Sequence, residues 1–155
     1  MADGRAEALI RELRLSPHPE GGWYRETFRS PHTVVTGDGR GVRSAMTSIW
    51  FVLAEGTCSR WHRVASDEAW YLLEGGPLEL WLAPPEPDRV ERVAVAPSMV
   101  VPAGWWQAAR VLGSFALAAC VVAPGFEFRD LTLLADRPAE REALRAIAGD
   151  AAELL

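Results

Sequence analysis

Residues 44–133 form a succession of short runs rich in β-branched and aromatic residues, and Gly or Pro separates most runs from the next. Joints such as residues 74–77 (EGGP) and 84–87 (PPEP) interrupt regular structure, because Pro lacks a backbone N–H and Gly readily adopts turn conformations. No helical pattern lies between the runs, which favours a sandwich or barrel over a parallel α/β sheet. We therefore predict an all-β fold with strands at residues 21–30, 44–54, 60–64, 68–73, 78–82, 90–95, 99–101, 105–111, 115–122 and 127–133.

Helical patterns lie only near the two ends of the chain. From Ala6 to Leu13, apolar residues recur at the spacing of one helix face, which predicts a short helix over residues 3–15. A second short helix is predicted over residues 138–148, where Pro138 suits the first turn. Both helices are expected to cover ends or edges of the barrel.

The length of the chain fits one domain, residues 1–155, with the barrel at about residues 21–134. Between the first two predicted strands, residues 31–41 (PHTVVTGDGRG) are interpreted as a flexible loop or loose hairpin. The Gly-Asp-Gly within it does not indicate a phosphate site, because no strong strand precedes it and no helix follows.

Charge and hydropathy exclude several classes of partner. The formal net charge is −5 and the Arg residues form no dense run, so we expect no nucleic-acid partner. No apolar stretch approaches the roughly 18 to 20 residues of a membrane helix, and residues 1–14 carry charges throughout. We therefore expect a cytoplasmic protein without a membrane partner, with Cys58 and Cys120 reduced.

The residues that carry chemistry are concentrated between Gly56 and Gly75. Five residues separate Gly56 from His62, Glu68 follows His62 by six positions, and six residues separate Glu68 from Gly75. Two strands joined by a short turn would bring an inward His62 and an inward Glu68 together.

A second stretch, residues 101–107 (VPAGWWQ), combines a tight turn with the start of a strand. Side chains alternate between the faces of a strand, so Trp105, Gln107 and Ala109 lie on one face and Trp106 and Ala108 on the other. We expect Gln107 to face the barrel interior, where it would meet the first pair of residues.

These spacings resemble the two motifs of the cupin superfamily, G(X)5HxH(X)3–4E(X)6G and PxG(X)2H. His62 stands at the first His of the pattern and Glu68 at its Glu, whereas Val64 and Gln107 stand where two further His would be. Ala96 replaces the Gly that usually opens the second motif. The resemblance implies a jelly-roll barrel, also called a double-stranded β-helix.

Longer strings are similar to an uncharacterised family of RmlC-like (sugar epimerase-like) cupins. The strings are LSPHPEGGWYRETFRS, SIWFVL, SRWHRVASDEAW, PAGWWQAA and VAPGFEF. Val64 and Gln107 belong to that family's pattern. The resemblance implies a homodimer and a pocket for a small polar ligand, either sugar-like or a metabolite with a carbonyl or carboxylate.

Two interpretations of the pocket stay open. In metal-binding cupins the motif residues bind one divalent metal, which here would leave His62, Glu68 and a Gln107 oxygen as ligands. Alternatively the three side chains form a hydrogen-bond network in a metal-free pocket. The loss of two imidazoles weakens affinity for a transition metal and favours the second interpretation.

The same residues suggest proton-transfer chemistry. A carboxylate beside an imidazole raises the pKa of the imidazole, so His62 as base with Glu68 as partner would suit abstraction of a proton beside a carbonyl. Tyr24 or Tyr71 would return the proton. An isomerase or epimerase is the enzyme hypothesis, by analogy of fold. The alternatives are a non-catalytic binding or sensing protein and a metal-dependent enzyme with a reduced ligand set.

Further side chains are expected to contact the ligand. Trp105 and Trp70 are the candidates for stacking on it, as Trp residues on the His62 and Gln107 faces. Glu26 is a candidate for an inward charge. His18 and Glu20 lie in a Pro-rich turn that is interpreted either as a simple turn or as a lid over the pocket.

Overall fold

The computed structural model describes residues 3–155, in which two antiparallel sheets face each other and a separate two-stranded sheet pairs β3 with β4. The strands are β1 (Ser16–Pro17), β2 (Trp23–Arg29), β3 (Thr33–Val35), β4 (Val42–Ser44), β5 (Thr47–Ala54), β6 (Cys58–Val64), β7 (Asp67–Gly75), β8 (Leu78–Ala83), β9 (Glu91–Ala94), β10 (Ser98–Val101), β11 (Trp106–Val111), β12 (Phe115–Ala123) and β13 (Leu131–Leu133). The larger sheet has the order β1-β2-β5-β12-β7-β10, and the smaller has the order β13-β6-β11-β8-β9. This arrangement confirms the predicted all-β jelly-roll barrel.

Alternate residues of both sheets point into the barrel, and most of these inward residues are apolar. The buried residues that meet there include Phe51, Leu53, Trp70, Leu78, Leu80, Leu82, Val101, Ala109, Ala118 and Cys120. Alternation also places Trp106 and Ala108 on the outer face of β11, away from Gln107 and Ala109, as predicted. In the register of the sheet, Gln107 on β11 lies opposite His62 on β6.

Helices cover the outer faces of both sheets. Helix α1 (Asp3–Glu12) packs Ala6 and Leu9 against Val52 and Leu117, which belong to central strands of the larger sheet. Helix α2 (Pro138–Ile147) and the 3-10 turn after it cover the three Trp residues on the outer face of the smaller sheet. The helices therefore lie on faces of the barrel, whereas ends or edges were expected. None of the helices in residues 3–155 is long and apolar enough to cross a membrane.

Several boundaries differ from the sequence prediction. Helix α1 ends at Glu12 rather than at residue 15, and Arg14 adopts a left-handed conformation (φ 55°) that no helix can contain. Residues 31–41, interpreted as a flexible loop or loose hairpin, include one strand of a hairpin in which β3 pairs with β4. Residues 127–133 begin with a 3-10 turn (Phe128–Asp130), and only the last three residues are a strand.

The hairpin is fixed by a buried ion pair that the pattern of apolar residues does not indicate. Arg43 on β4 donates from Nε and Nη2 to the two carboxylate oxygens of Asp130, at 2.7 and 2.8 Å. Arg40 adds a bond of 3.0 Å to the same carboxylate. The ion pair therefore connects the β3–β4 hairpin to the 3-10 turn that contains Asp130.

Candidate functional site

A cavity of about 230 Å³ opens into the barrel between β2, β5, β7 and β12. This volume is smaller than the roughly 300–1,000 Å³ of pockets that hold drug-sized ligands. Its wall is mainly apolar and aromatic, with polar groups at the floor and rim. The lining residues are His18, Glu20, Tyr24, Glu26, Arg29, Thr47, Ile49, Phe51, Val64, Glu68, Trp70, Cys120, Val122, Phe126, Glu127 and Phe128.

The loop between β1 and β2 carries two of the polar groups, His18 and Glu20. It docks on β6, where the Arg60 N–H donates to the Glu20 carbonyl at 2.7 Å. Gly21 and Gly22 have φ values of +108° and +73°, and a Cβ at Gly22 would lie 2.6 Å from the Phe51 ring. The two glycines therefore permit the close approach that inserts the Glu20 carboxylate into the barrel.

Glu20 and His62 form a buried ion pair. The Nε2 atom of His62 lies 3.0 Å from Oε2 of Glu20, and the exposed fractions of the two side chains are 2% and 8%. On the other side of the ring, Nδ1 donates to the Arg60 carbonyl at 2.7 Å. Ser59 donates to the second Glu20 oxygen at 2.9 Å. Both nitrogens of His62 are therefore engaged, and His62 does not line the cavity.

The charges of this pair stabilise each other. Burial alone would lower the pKa of His62, but the charge and hydrogen bond of Glu20 outweigh it and raise that pKa to about 9. Burial would raise the pKa of Glu20, but the attraction of His62 and the other hydrogen-bonding groups around it lowers it. At neutral pH His62 is therefore an imidazolium and Glu20 a carboxylate.

Glu68 lies at the cavity wall and takes its hydrogen bond from the opposite sheet. The Gln107 amide donates from Nε2 to Oε1 of Glu68 at 2.7 Å, and Trp70 Nε1 donates to the Gln107 oxygen at 3.1 Å. An indole N–H can only donate, so Trp70 fixes which end of the Gln107 amide faces Glu68. The three side chains form one chain of hydrogen bonds across the barrel.

The pKa of Glu68 is raised to about 7, mainly by burial and then by the charge of Glu20. The charge of His62 and the hydrogen bonds from Gln107 and Trp70 act in the opposite direction but do not cancel the effect of burial. A carboxyl group with this pKa is present in both protonation states near neutral pH, which suits a general acid or base.

The donor set does not fit a divalent metal. His62 gives both ring nitrogens to protein acceptors, and Gln107 turns its amide N–H₂, which cannot bind a metal, toward Glu68. The Val64 side chain carries only methyl groups and has no atom that can coordinate a metal ion. Over the described part of the chain, no three His, Cys, Asp or Glu side chains are grouped in a way that would hold a metal ion.

The predicted site residues divide into three groups: those that line the cavity, those that contact a lining carboxylate, and those that lie elsewhere. Tyr24, Glu26, Glu68 and Trp70 line the cavity. Glu26 lies at the rim, where Arg29 donates to its Oε1 at 2.7 Å. His62 and Gln107 do not line the cavity, but each contacts a carboxylate that does, Glu20 and Glu68 respectively.

Two aromatic candidates lie outside the cavity. Trp105 packs partly buried against the barrel core under the guanidinium of Arg89, 5.5 Å from the ring centre. Tyr71 is 45% exposed and, being one residue from the inward Trp70, points away from the interior.

The prediction that Glu68 is the partner of His62 is wrong. The carboxylate that pairs with the His62 ring is that of Glu20, from the loop between β1 and β2.

Sequence reasoning missed the roles of His18, Glu20 and Phe126. The first two were predicted only as a turn or lid, although the Gly-Gly pair after Glu20 is a signal for close backbone approach. Phe126 and Phe128 follow Pro124-Gly125, and the turn places both rings beside His18, with centroids 6.5 and 6.0 Å away. A ligand in the cavity would contact these rings.

The comparisons with known proteins agree with this architecture. A hypothetical protein from Leishmania major is 30% identical with a TM-score of 0.78, over 92% of this chain and 97% of that one. A protein from Shewanella oneidensis is also 30% identical with a TM-score of 0.78, over 96% and 93%. Oxalate decarboxylase from Bacillus subtilis is 20% identical with a TM-score of 0.60, over 84% of this chain and 33% of that one, and shows the fold alone.

No curated protein matches the sequence significantly. Residues 7–134 match the protein family described as Cupin superfamily (DUF985). The match covers most of the chain and includes every residue of the cavity wall. The chain therefore belongs to this family of the cupin superfamily.

Proposed function

We propose that the protein binds a small molecule in the cavity and catalyses an isomerase-type proton transfer, with Glu68 as the acid–base group. The substrate carries a hydrogen on a carbon next to a carbonyl. Glu68 as carboxylate takes this proton and as carboxylic acid returns it, to the same carbon or to a neighbouring one.

The observation that carries the proposal is a single carboxyl group with a pKa near 7 on the wall of a mainly aromatic cavity. Burial of a carboxyl group beside apolar rings is how enzymes bring the pKa of an acid to the operating pH. Gln107 is a positioning residue, since it holds Glu68 from outside the cavity, and Trp70 orients the Gln107 amide while its ring lines the cavity wall.

His62, which the sequence analysis suggested as the base, has a different role in this proposal. As an imidazolium with both nitrogens engaged, it has no lone pair with which to take a proton. It neutralises Glu20 and so allows the loop carboxylate to lie inside the barrel. Tyr24, whose ring lines the cavity, stays a candidate for the return of the proton.

The test is exchange of substrate hydrogen with solvent deuterium. Dihydroxyacetone, D-xylulose and cyclohexanone are incubated with the protein in D₂O, and loss of the signals of the hydrogens beside the carbonyl is followed by proton NMR. We expect wild type to accelerate exchange of at least one compound, and Glu68→Gln to abolish the acceleration. Glu74→Gln is the matched control, since Glu74 lies on the same strand and pairs with Arg5 instead.

A non-catalytic binding protein is the alternative. The apolar wall would serve a carrier or sensor equally well, because aromatic rings bury a large area of any small ligand. Binding of a compound without exchange by wild type would contradict the isomerase and support this alternative. The homodimer and the cytoplasmic location implied by the sequence stay predictions.

A further inference from the structure

We propose that His18 holds the carbonyl oxygen of the substrate through its Nε2–H, and that the substrate is an uncharged ketone or aldehyde. This inference rests on the proposed function and names the substrate class of the same site. It assigns to His18 a direct contact with the reacting atoms.

The position of His18 brings its ring to the cavity. Its side chain lines the wall with only 9% of the residue exposed, and four aromatic rings lie around it, including Phe126 at 6.5 Å between centroids. The Tyr24 ring packs edge-on at 4.6 Å between centroids, and the rings of Phe128 and Phe51 lie at 6.0 and 6.1 Å. The ring is therefore held in place by packing before any ligand arrives.

The tautomer of His18 follows from its hydrogen bond. Nδ1 lies 3.5 Å from Oε2 of Glu20 without a hydrogen bond between the two atoms. The backbone N–H of Glu20 donates to Nδ1 at 3.2 Å, so Nδ1 carries the lone pair and the neutral ring carries its hydrogen on Nε2. Burial lowers the pKa of His18, and the charge of His62 adds to this effect, although Glu20 opposes it. Within residues 3–155 the structure shows no hydrogen bond to Nε2, which leaves this N–H for a ligand.

The charges around the cavity disfavour an anionic substrate. Arg29 is the one Lys or Arg among the lining residues, and it lies at the rim bound to Glu26 and to the Phe126 carbonyl. His62 is neutralised by Glu20. A carboxylate or phosphate inside the cavity would lie beside Glu20 and Glu68 without a free cation, and a buried charge without a partner is strongly disfavoured. An uncharged carbonyl needs only a donor, and His18 supplies one.

The proton transfer then balances across the cavity. The Glu68 carboxylate takes the hydrogen from the carbon beside the carbonyl, and the electrons of the C–H bond form a C=C bond while those of C=O move to oxygen. The resulting enolate oxygen accepts a hydrogen bond from His18 Nε2–H. Glu68 returns the proton to carbon, so nothing is oxidised or reduced. A donor placed where charge develops typically accelerates such a step by about 10²–10³-fold.

The test compares cyclohexanone with methylenecyclohexane, which has nearly the same shape but no carbonyl oxygen. Binding of each probe is measured by tryptophan fluorescence, since Trp70 lines the cavity, and exchange of cyclohexanone is measured in D₂O. We expect wild type to prefer the ketone by about 10-fold, the size of one net hydrogen bond. His18→Phe, which keeps an aromatic ring, should lose this preference and slow exchange by about 10²-fold.

Two controls separate a specific role from loss of fold. His32→Phe makes the same change in an exposed loop and should alter neither the preference nor the exchange. His18→Gln retains an N–H donor and should recover part of the ketone preference. If His18→Phe changed only the stability of the fold, the ratio of the affinities for cyclohexanone and methylenecyclohexane would stay as in wild type.

The outcomes distinguish this inference from the proposed function. If His18→Phe keeps the ketone preference, or if wild type binds cyclohexanecarboxylate more tightly than cyclohexanone, the inference is wrong. If cyclohexanone does not bind wild type, the substrate class is wrong. If the ketone binds through His18 and wild type causes no exchange, the inference stands and the proposed function fails.

Discussion

Nε2 of His62 lies 3.0 Å from Oε2 of Glu20 in the interior of the barrel. In metal-binding cupins the first His of the motif is a metal ligand, whereas here a carboxylate from the loop between β1 and β2 engages it. The pairing converts His62 into a fixed cation and leaves Glu68 as the group that can exchange a proton. The site is therefore organised by a loop that precedes the motif in sequence.

Glu20→Gln is expected to destabilise the fold strongly. It removes the anion that compensates the imidazolium of His62, and breaking a buried pair on one side typically costs about 3–5 kcal/mol in free energy of unfolding. Urea unfolding at pH 7 measures the change. Glu26→Gln breaks an exposed pair with Arg29 and should cost less than about 1 kcal/mol. Equal effects of the two substitutions would contradict the buried pairing.

The same pair predicts how stability depends on pH. The pKa of His62 is raised from 6.5 to about 9, so the pair contributes fully below pH 6.5 and its contribution is lost as pH rises through 9. The difference in free energy of unfolding between wild type and Glu20→Gln should therefore narrow from pH 6.5 to 9. Denaturant unfolding at several pH values tests this. A constant difference would show that His62 is not charged in the folded state.

Glu68 is expected to reduce stability at neutral pH, because folding raises the pKa of its carboxyl group from 4.5 to about 7. The unfolded chain ionises first as pH rises from 4.5, so wild type loses up to about 3 kcal/mol of stability by pH 7. Glu68→Gln lacks this group and should not lose that stability over the same interval. Glu74→Gln retains Glu68 and should follow wild type. Parallel curves for wild type and Glu68→Gln would place the pKa of Glu68 near its ordinary value.

The barrel and the interior direction of Glu68 and Gln107 could be predicted from sequence, because strand alternation and the Gly and Pro joints act locally. The partner of His62 could not. Glu20 lies 42 positions before it, in a turn whose approach to β6 depends on the packing of Gly21 and Gly22 against other strands. Trp105 was predicted to face the ligand with Gln107; it packs against the barrel core, but it is not among the residues that line the cavity.

Gln107→Leu is expected to raise the pKa of Glu68 further. The Gln107 N–H stabilises the charged carboxylate and so lowers the pKa of Glu68. Without this hydrogen bond, the effects of burial and of the Glu20 charge, which raise that pKa, are larger in proportion. The midpoint of the pH dependence of exchange should move above 7, while the rate at high pH changes less. Trp70→Phe frees the Gln107 amide and should shift the midpoint in the same direction by a smaller amount. A midpoint that falls would contradict the role of Gln107 as donor.

The donor set predicts that wild type gains no stability from divalent metal. Elemental analysis of protein purified without chelator should find metal well below one equivalent, and Zn²⁺ or Mn²⁺ should leave Tm unchanged. The triple substitution Glu20→Gln, Val64→His and Gln107→His frees His62 and supplies two imidazoles beside Glu68, a set that suits a divalent transition metal. Its Tm should rise with Zn²⁺, as expected for a ligand that binds only the folded state. Stoichiometric metal in wild type that is lost in His62→Ala would show that His62 leaves Glu20 for the metal, and would contradict this prediction.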